Sequence, residues 1–288
     1  MRWDYHTVFK QIREDKRLSQ SKVAGNMMSR QAVAAFEDGK STPRFENMEY
    51  MLRQMDITFA EFQHICDYYQ PNERMKIMRS IQQLNSLTNK ESIESLIHQC
   101  QDYLKTTDDI PIERRLMILQ THLMSYDENT PGQSEQSKNL FDSIWKELQS
   151  YGEWYLGDLT LLVNILPNFP IETVIDMTDQ ILKSLKRYEG YANINEARFS
   201  ILSNLGTAFL YNNLPKKALQ MTEMTLTTAN QTHRSDYLGF CWVRLGILRE
   251  DFPLIQRGLQ LLNTAGEYRT LKSCQKEVAH FHPTFPFD

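Results

Sequence analysis

Leu18-Ser19-Gln20-Ser21-Lys22-Val23-Ala24-Gly25-Asn26-Met27-Met28-Ser29 runs directly into Arg30-Gln31-Ala32-Val33-Ala34-Ala35-Phe36-Glu37-Asp38-Gly39. Two serines punctuate this stretch. Ser19 can cap a helix whose apolar face is Val23 and Ala24, since its hydroxyl accepts from an amide the helix leaves free. Small Ala24 permits close crossing by the next helix. Ser29 caps that second helix, with Val33 and Phe36 turned inward at i, i+3 spacing. Gly39 suits the left-handed residue that closes it. Glu37 reads as a tether to a nearby basic side chain. The outcome is two short helices crossing at a tight turn.

Arg30, Gln31 and Ala34 are left on the outward face of the second helix, near its N-terminus. A helix entering the major groove presents those positions to base edges. Arg pairs with guanine O6 and N7, and Gln with adenine N6 and N7. Gln20, opening the first helix, is placed to bond a phosphate and brace Gln31. Lys40 and Arg44 follow the second helix and can hold the backbone electrostatically. With Ser29 at the helix start, the candidate DNA-contacting set is Gln20, Ser29, Arg30, Gln31, Ala34, Lys40 and Arg44.

The charge distribution agrees with that reading better than the total does. The 288 residues carry a net charge of −4, but residues 1–44 hold nine Lys and Arg against five Asp and Glu. That stretch is +4, which leaves −8 for the remainder. A basic module joined to an acidic body is expected when one end meets phosphate. Apolar residues at 41% and charged residues at 24% are ordinary for a globular chain, and no transmembrane window or signal peptide is expected. The four cysteines, Cys66, Cys100, Cys241 and Cys274, lie far apart without a C-x-x-C pair. Reduced buried thiols and a cytoplasmic location are expected.

Nearly everything reads as helix, so the fold class is all-α. Short helices are predicted at residues 5–16, 20–26, 30–37, 45–54 and 58–68. Pro71 then disfavours helix at the residue before it. The expected domains are therefore residues 1–69, a five-helix helix-turn-helix unit, and residues 70–288, a helical-repeat unit. Longer patterns follow at 72–87, 90–105, 112–126, 134–150, 153–166 and 171–188, then 194–212, 215–230, 235–250, 252–264 and 267–280. Such a succession of helix pairs predicts an α-solenoid.

Two segments sharpen that prediction. Trp242-Val243-Arg244-Leu245-Gly246 matches the W-x-x-L-G start of a tetratricopeptide repeat, and Leu202-Ser203-Asn204-Leu205-Gly206 matches with Leu in the Trp position. Gly206 and Gly246 are expected where the two helices of a hairpin approach closely, with small Ala218 opposite. Stacked hairpins present a concave groove that takes an extended peptide. Residues placed near it are Trp154, Asn164, Arg198, Ser203, Asn204, Thr207 and Tyr237. Asn164 and Asn204 weigh most, because an amide within an apolar helix needs a partner.

The first stretch resembles the helix-turn-helix of phage repressors and Xre-type regulators. Their pattern is L-S-Q-x-x-[LV]-A, then S-[RQ]-x-x-[IV]-x-x-[FIW]-E-x-G and a Pro a few residues on, here Pro43. One departure is that Gly25 falls early in the turn, which is a residue shorter than usual. The whole layout resembles the Rgg and PlcR group of peptide-sensing quorum regulators. Trp154-Tyr155 followed by Leu161-Leu162-Val163-Asn164 is similar to Rgg proteins in particular. The resemblance implies an operator of double-stranded DNA, a short signalling peptide, and a homodimer joined through C-terminal helices.

Chemistry is sparse elsewhere. No H-E-x-x-H, G-x-S-x-G, P-loop or G-x-G-x-x-G occurs, so neither an enzyme nor a cofactor is expected. His280-Phe281-His282, near Cys274 and Glu277, fits no metal spacing. Asp108-Asp109 reads as a solvated turn. The alternative function keeps DNA binding and makes the repeat unit a scaffold for a larger protein partner.

Overall fold

The computed structural model describes residues 4–82, 84, 90–127, 135–166, 169–191 and 194–287, with the side chains of residues 122, 124–127, 135–138, 140, 163 and 164 excepted. Every regular element among them is an α-helix. The first five are α1 (Tyr5–Asp15), α2 (Gln20–Ala24), α3 (Arg30–Glu37), α4 (Phe45–Gln54) and α5 (Phe59–Cys66). Next come α6 (Glu73–Gln82), α7 (Lys90–Leu104), α8 (Ile110–Asp127), α9 (Glu135–Ser150), α10 (Leu156–Ile165) and α11 (Ile171–Lys186). The chain ends with α12 (Ile194–Tyr211), α13 (Pro215–Thr232), α14 (Ser235–Arg249), α15 (Phe252–Thr264) and α16 (Tyr268–Phe281). No helix among the described residues is long and apolar enough to cross a membrane.

The chain divides into two compact units, residues 1–112 and 113–288. The first therefore extends past the boundary expected at residue 69. The reason lies at the Pro71 junction. The Asn72 side chain donates to Asp67 Oδ2 at 2.9 Å and accepts from the Met75 amide at 2.9 Å, so it locks the end of α5 to the first turn of α6. Pro71 lies in the short connection between α5 and α6, just before the Asn72 cap. Asp109 then holds α6 and α7 together, accepting from Arg74 Nε at 2.6 Å and from the Tyr103 hydroxyl at 3.3 Å. Its other oxygen accepts from the Ile112 amide at 3.2 Å and caps α8. Asp109 is thus an internal brace instead of part of a solvated turn, with only 9% of its side chain exposed.

Val8, Phe9, Ile12, Val23, Val33, Phe36, Met51 and Leu52 form the core of α1 to α5. Phe9 and Phe36 meet at 5.1 Å between ring centroids, which fixes α1 across α3. Burying a side chain of this size contributes about 2 kcal/mol.

In the second unit α12 pairs with α13 and α14 with α15, α13 packs on α14, and α16 closes against both α14 and α15. Leu159, Leu162, Ile181, Leu202, Leu205 and Phe209 fill the main core, while Val243, Ile247, Ile255, Leu262 and Val278 fill the last. Helix α13 buries Thr222, Thr225 and Thr228 in this interior. Each hydroxyl donates to the carbonyl four residues earlier, so none of these three hydroxyls goes unsatisfied.

The two repeat glycines behave differently. A Cβ on Gly246 would lie 2.6 Å from Ile255 Cγ1 and 2.8 Å from Asp251 O, so α14 and α15 touch backbone to side chain there. A Cβ on Gly206 would meet Met221 Cβ at 3.5 Å, ordinary contact. Helices α12 and α13 still pack together, but the space beside Met221 and Thr222 would admit a Cβ, so packing there does not require glycine. Gly239 and Gly258, which the repeat pattern did not flag, continue the tight α14–α15 seam.

Candidate functional site

In the first unit both serine caps form. Ser19 Oγ accepts from the Lys22 amide at 3.1 Å and Ser29 Oγ from the Ala32 amide at 3.2 Å. After α3, Gly39 has φ +70°, and the Lys40 amide donates to Ala35 O at 2.8 Å. That double closure fixes where α3 stops.

The early glycine in the turn has a physical cause. Gly25 has φ 53° and ψ −133°, and the Met27 amide donates back to Ala24 O at 3.2 Å. This is the mirror-image turn geometry that side chains resist. A Cβ there would also sit 2.0 Å from the Tyr50 hydroxyl oxygen. The ring of Tyr50, on α4, occupies the place a side chain would need, and α2 consequently ends at Ala24, two residues before the expected end.

The basic partner of Glu37 is Arg13 on α1. Its Nε donates to Glu37 Oε1 at 2.5 Å and its Nη2 to Oε2 at 2.8 Å, while Nη1 donates to Leu18 O at 2.8 Å. Burial by itself pushes the Glu37 carboxyl up, but hydrogen bonds from Arg13 and Gln20 and the charges of Arg13 and Lys10 outweigh it. The carboxyl is held below the usual glutamate range. Gln20 Nε2 donates to the same Glu37 Oε2 at 2.9 Å, and Gln20 Oε1 accepts from Arg30 Nε at 3.3 Å. Gln20 therefore braces Arg30, not Gln31 as expected. The chain Arg13–Glu37–Gln20–Arg30 runs from the interior to the surface. It occupies Arg30 Nε and leaves both terminal guanidinium nitrogens for an acceptor pair.

Arg30, Gln31, Ser29, Lys40 and Arg44 are exposed, and Ala34 and Gln20 are half-buried. Lys40 Nζ sits 2.8 Å from Asp38 Oδ2, both groups being open to water. Such a pair exchanges readily for a phosphate, since a surface ion pair contributes little. Arg44 caps α4 without a side-chain bond. Arg13 and Tyr50, which hold the motif together, were missed in sequence. An arginine five residues before the Leu-Ser-Gln run was the available signal for the first.

Of the seven expected groove residues, those whose side chains are described do not all gather into one site. Trp154 is 4% exposed and its Nε1 donates to Leu148 O at 2.9 Å. It packs beside Trp145 in the core, so it is withdrawn from any groove, because its indole amide is already satisfied inside. Asn164 lies on α10 but its side chain falls outside the described residues. Arg198 is half-buried, 3.8 Å from Glu189. The Ser203 hydroxyl donates to Ser200 O at 3.0 Å. Tyr237 stacks on Phe199, centroids 3.5 Å apart, with the Arg234 guanidinium 4.1 Å above its ring.

Asn204 and Thr207 do come together. They line a cavity of about 350 Å³ with Leu166, Phe169, Ile171 and Tyr211. Asn204 is exposed, in contrast to the buried amide expected from its apolar helix. Phe199, Ser203, Thr207 and Tyr211 recur every four residues along α12, so extending the predicted pair in both directions would have found the two aromatics.

Among the described residues no group of three or more His, Cys, Asp and Glu side chains could hold a metal ion. His280 stacks on Tyr211, and His282 Nε2 lies 3.1 Å from Ile247 O. Both imidazoles serve packing.

No family model matches the chain. Solved structures do match it over nearly its whole length. A candidate transcriptional regulator from Listeria monocytogenes EGD-e is 18% identical, with a TM-score of 0.77 over 98% of each chain. The SHP pheromone receptor Rgg2 of Streptococcus dysgalactiae is 15% identical, with a TM-score of 0.70 over 96% of this chain and 99% of that one. ComR from S. thermophilus, solved with DNA and its signalling peptide ComS, is 11% identical, with a TM-score of 0.63 over 96% and 99%. At such identities the likeness establishes the fold: an all-α chain with a helix-turn-helix unit followed by tetratricopeptide-like hairpins. Of these neighbours, Rgg2 is a pheromone receptor and ComR was solved with a signalling peptide, and Rgg proteins are among those that the sequence resembles.

Proposed function

We propose that this protein is a sequence-specific DNA-binding transcription regulator whose second unit senses a short signalling peptide. The observation that carries the reading is the Arg13–Glu37–Gln20–Arg30 chain. It anchors an exposed arginine at the N-terminus of α3 with its terminal nitrogens free, as bidentate recognition of guanine requires. Gln31 and Ala34 adjoin it on the outward face, and Lys40, Arg44, Gln20 and Ser29 surround it for backbone contacts. The neighbours add weight, since Rgg2 is a pheromone receptor and ComR was solved on DNA with a peptide.

One helix supplies few base contacts, so the reading includes a homodimer on two half-sites about 34 Å apart. Peptide binding then biases DNA binding by its difference in affinity for two states of the second unit. Asn204 and Thr207, which line one cavity, are the proposed contacts.

Operator binding is tested by gel shift against DNA from upstream of the protein's own gene. Arg30→Ala should weaken specific binding about 10- to 100-fold, the discrimination of one bidentate base contact, without altering the oligomeric state. Equal binding of operator and scrambled DNA by the unmodified protein would refute the DNA reading. Fluorescence polarisation with short hydrophobic peptides encoded beside the gene tests the sensing step. No saturable binding would move the second unit to a larger protein partner.

A further inference from the structure

The cavity beside Asn204 has one wall in contact with the C-terminal helix, by two separate routes. Tyr211 lines it from α12 and reaches α16, stacking on His280 at 5.3 Å and meeting the edge of Phe281 at 5.1 Å. Thr207 also lines it, and its hydroxyl donates to Ser203 O at 2.8 Å. That same carbonyl accepts from Arg244 Nη1 at 2.9 Å. Arg244 is buried, and its Nη2 donates to Glu277 Oε1 on α16 at 2.6 Å, with Nε reaching Oε2 at 3.2 Å. The routes also meet each other, since burial and then the Glu277 carboxylate raise the Tyr211 phenol.

The lining indicates what enters. Leu166, Phe169, Ile171 and Val174 make an apolar floor, and Asn204 and Asn212 stand at the rim. Asn212 spends its amide nitrogen on Ala208 O at 2.8 Å, which leaves its carbonyl oxygen to accept. Apolar floor and carboxamide rim together suit one bulky apolar side chain whose own backbone remains at the mouth.

We propose that this cavity is a subsite for one apolar side chain of the ligand, and that filling it displaces α16 through Tyr211 and through Thr207–Ser203–Arg244–Glu277. The inference rests on the reading of the second unit as a peptide sensor, but the coupling itself can be measured without any peptide. An occupant against the Tyr211 ring costs α16 its aromatic contacts. One against Thr207 shifts the carbonyl that Arg244 shares. Both packed contacts are lost or kept as units, which is how a small local change becomes a helix movement.

The experiment fills the cavity from within. Ala208→Phe in the full-length protein places a ring in the space, and Thr207→Leu is the second filler should the first fail to fold. Hydrogen exchange is read over residues 274–285 by mass spectrometry. Each filler should speed exchange there by roughly threefold or more, a local opening with no global unfolding. Tyr211→Ala should raise exchange as well, and the filler should then add little, the mark of coupled positions. Unchanged exchange in both fillers, or strictly additive effects, would overturn the coupling. Peptide binding measured separately bears on the sensor reading alone, so the two failures are distinguishable.

Discussion

Arg13 and Glu37 are 24 positions apart in sequence, yet the guanidinium of one holds both carboxylate oxygens of the other at 2.5 and 2.8 Å. Only 1% of the Glu37 side chain and 10% of the Arg13 side chain is exposed. The pair fastens α1 to the end of α3, so the helix that would enter the groove is oriented from inside.

Breaking this pair should destabilise the first unit. Removing one member of a buried ion pair typically costs about 3 kcal/mol, and Glu37→Ala should lower the urea midpoint accordingly. The pH dependence follows from the depressed Glu37 pKa. Its stabilisation is complete above the ordinary glutamate value of 4.5 and is lost as pH falls through the lower folded value. Urea titrations between pH 6 and pH 3 should show Glu37→Gln flattening that decline. An unchanged slope would mean another carboxylate governs acid stability.

The two repeat glycines give opposite expectations. Gly206→Ala should stabilise by about 0.5 kcal/mol, since the site has room and alanine costs less helix entropy. Gly246→Ala should destabilise by about 2 kcal/mol through overpacking against α15. Thermal melts of both variants check the contrast. Losses of equal size would contradict the spacing of the two hairpins.

All four thiols should be silent in the native state. Cys66, Cys100, Cys241 and Cys274 are all buried thiols. Burial pushes Cys241 and Cys274 up to about 12, Arg244 opposing it in each case and the Glu277 carboxylate adding to it for Cys274. Neither thiolate nor access is available near neutral pH. Titration with a disulfide reagent should find no reactive thiol in the native protein and four in denaturant. Rapid labelling of a native thiol would reveal local opening.

The sequence by itself determined whatever depends on near neighbours. Serine caps at Ser19 and Ser29, the left-handed Gly39 and the 3.6-residue periodicity of the long helices are local, because caps and amphipathic faces are set within a turn or two. Helix boundaries such as 30–37, 45–54 and 252–264 consequently coincide with the structure. The outward placement of Arg30 and Gln31 was legible for the same reason.

Tertiary structure alone decided what depends on residues far apart in the chain. Sequence shows that Glu37 wants a cation but not that Arg13 supplies it. It shows an early Gly25 but not the Tyr50 ring that demands it. Trp154 and Asn204 exchanged their expected environments: Trp154 precedes α10 and turns inward onto Leu148 O, while Asn204 falls on the exposed side of α12. Asn72 binds across the proline at which a boundary was expected and joins the end of α5 to the start of α6. Non-local contacts of this kind have no periodicity to read, and only the packed chain brings their partners within 3 Å.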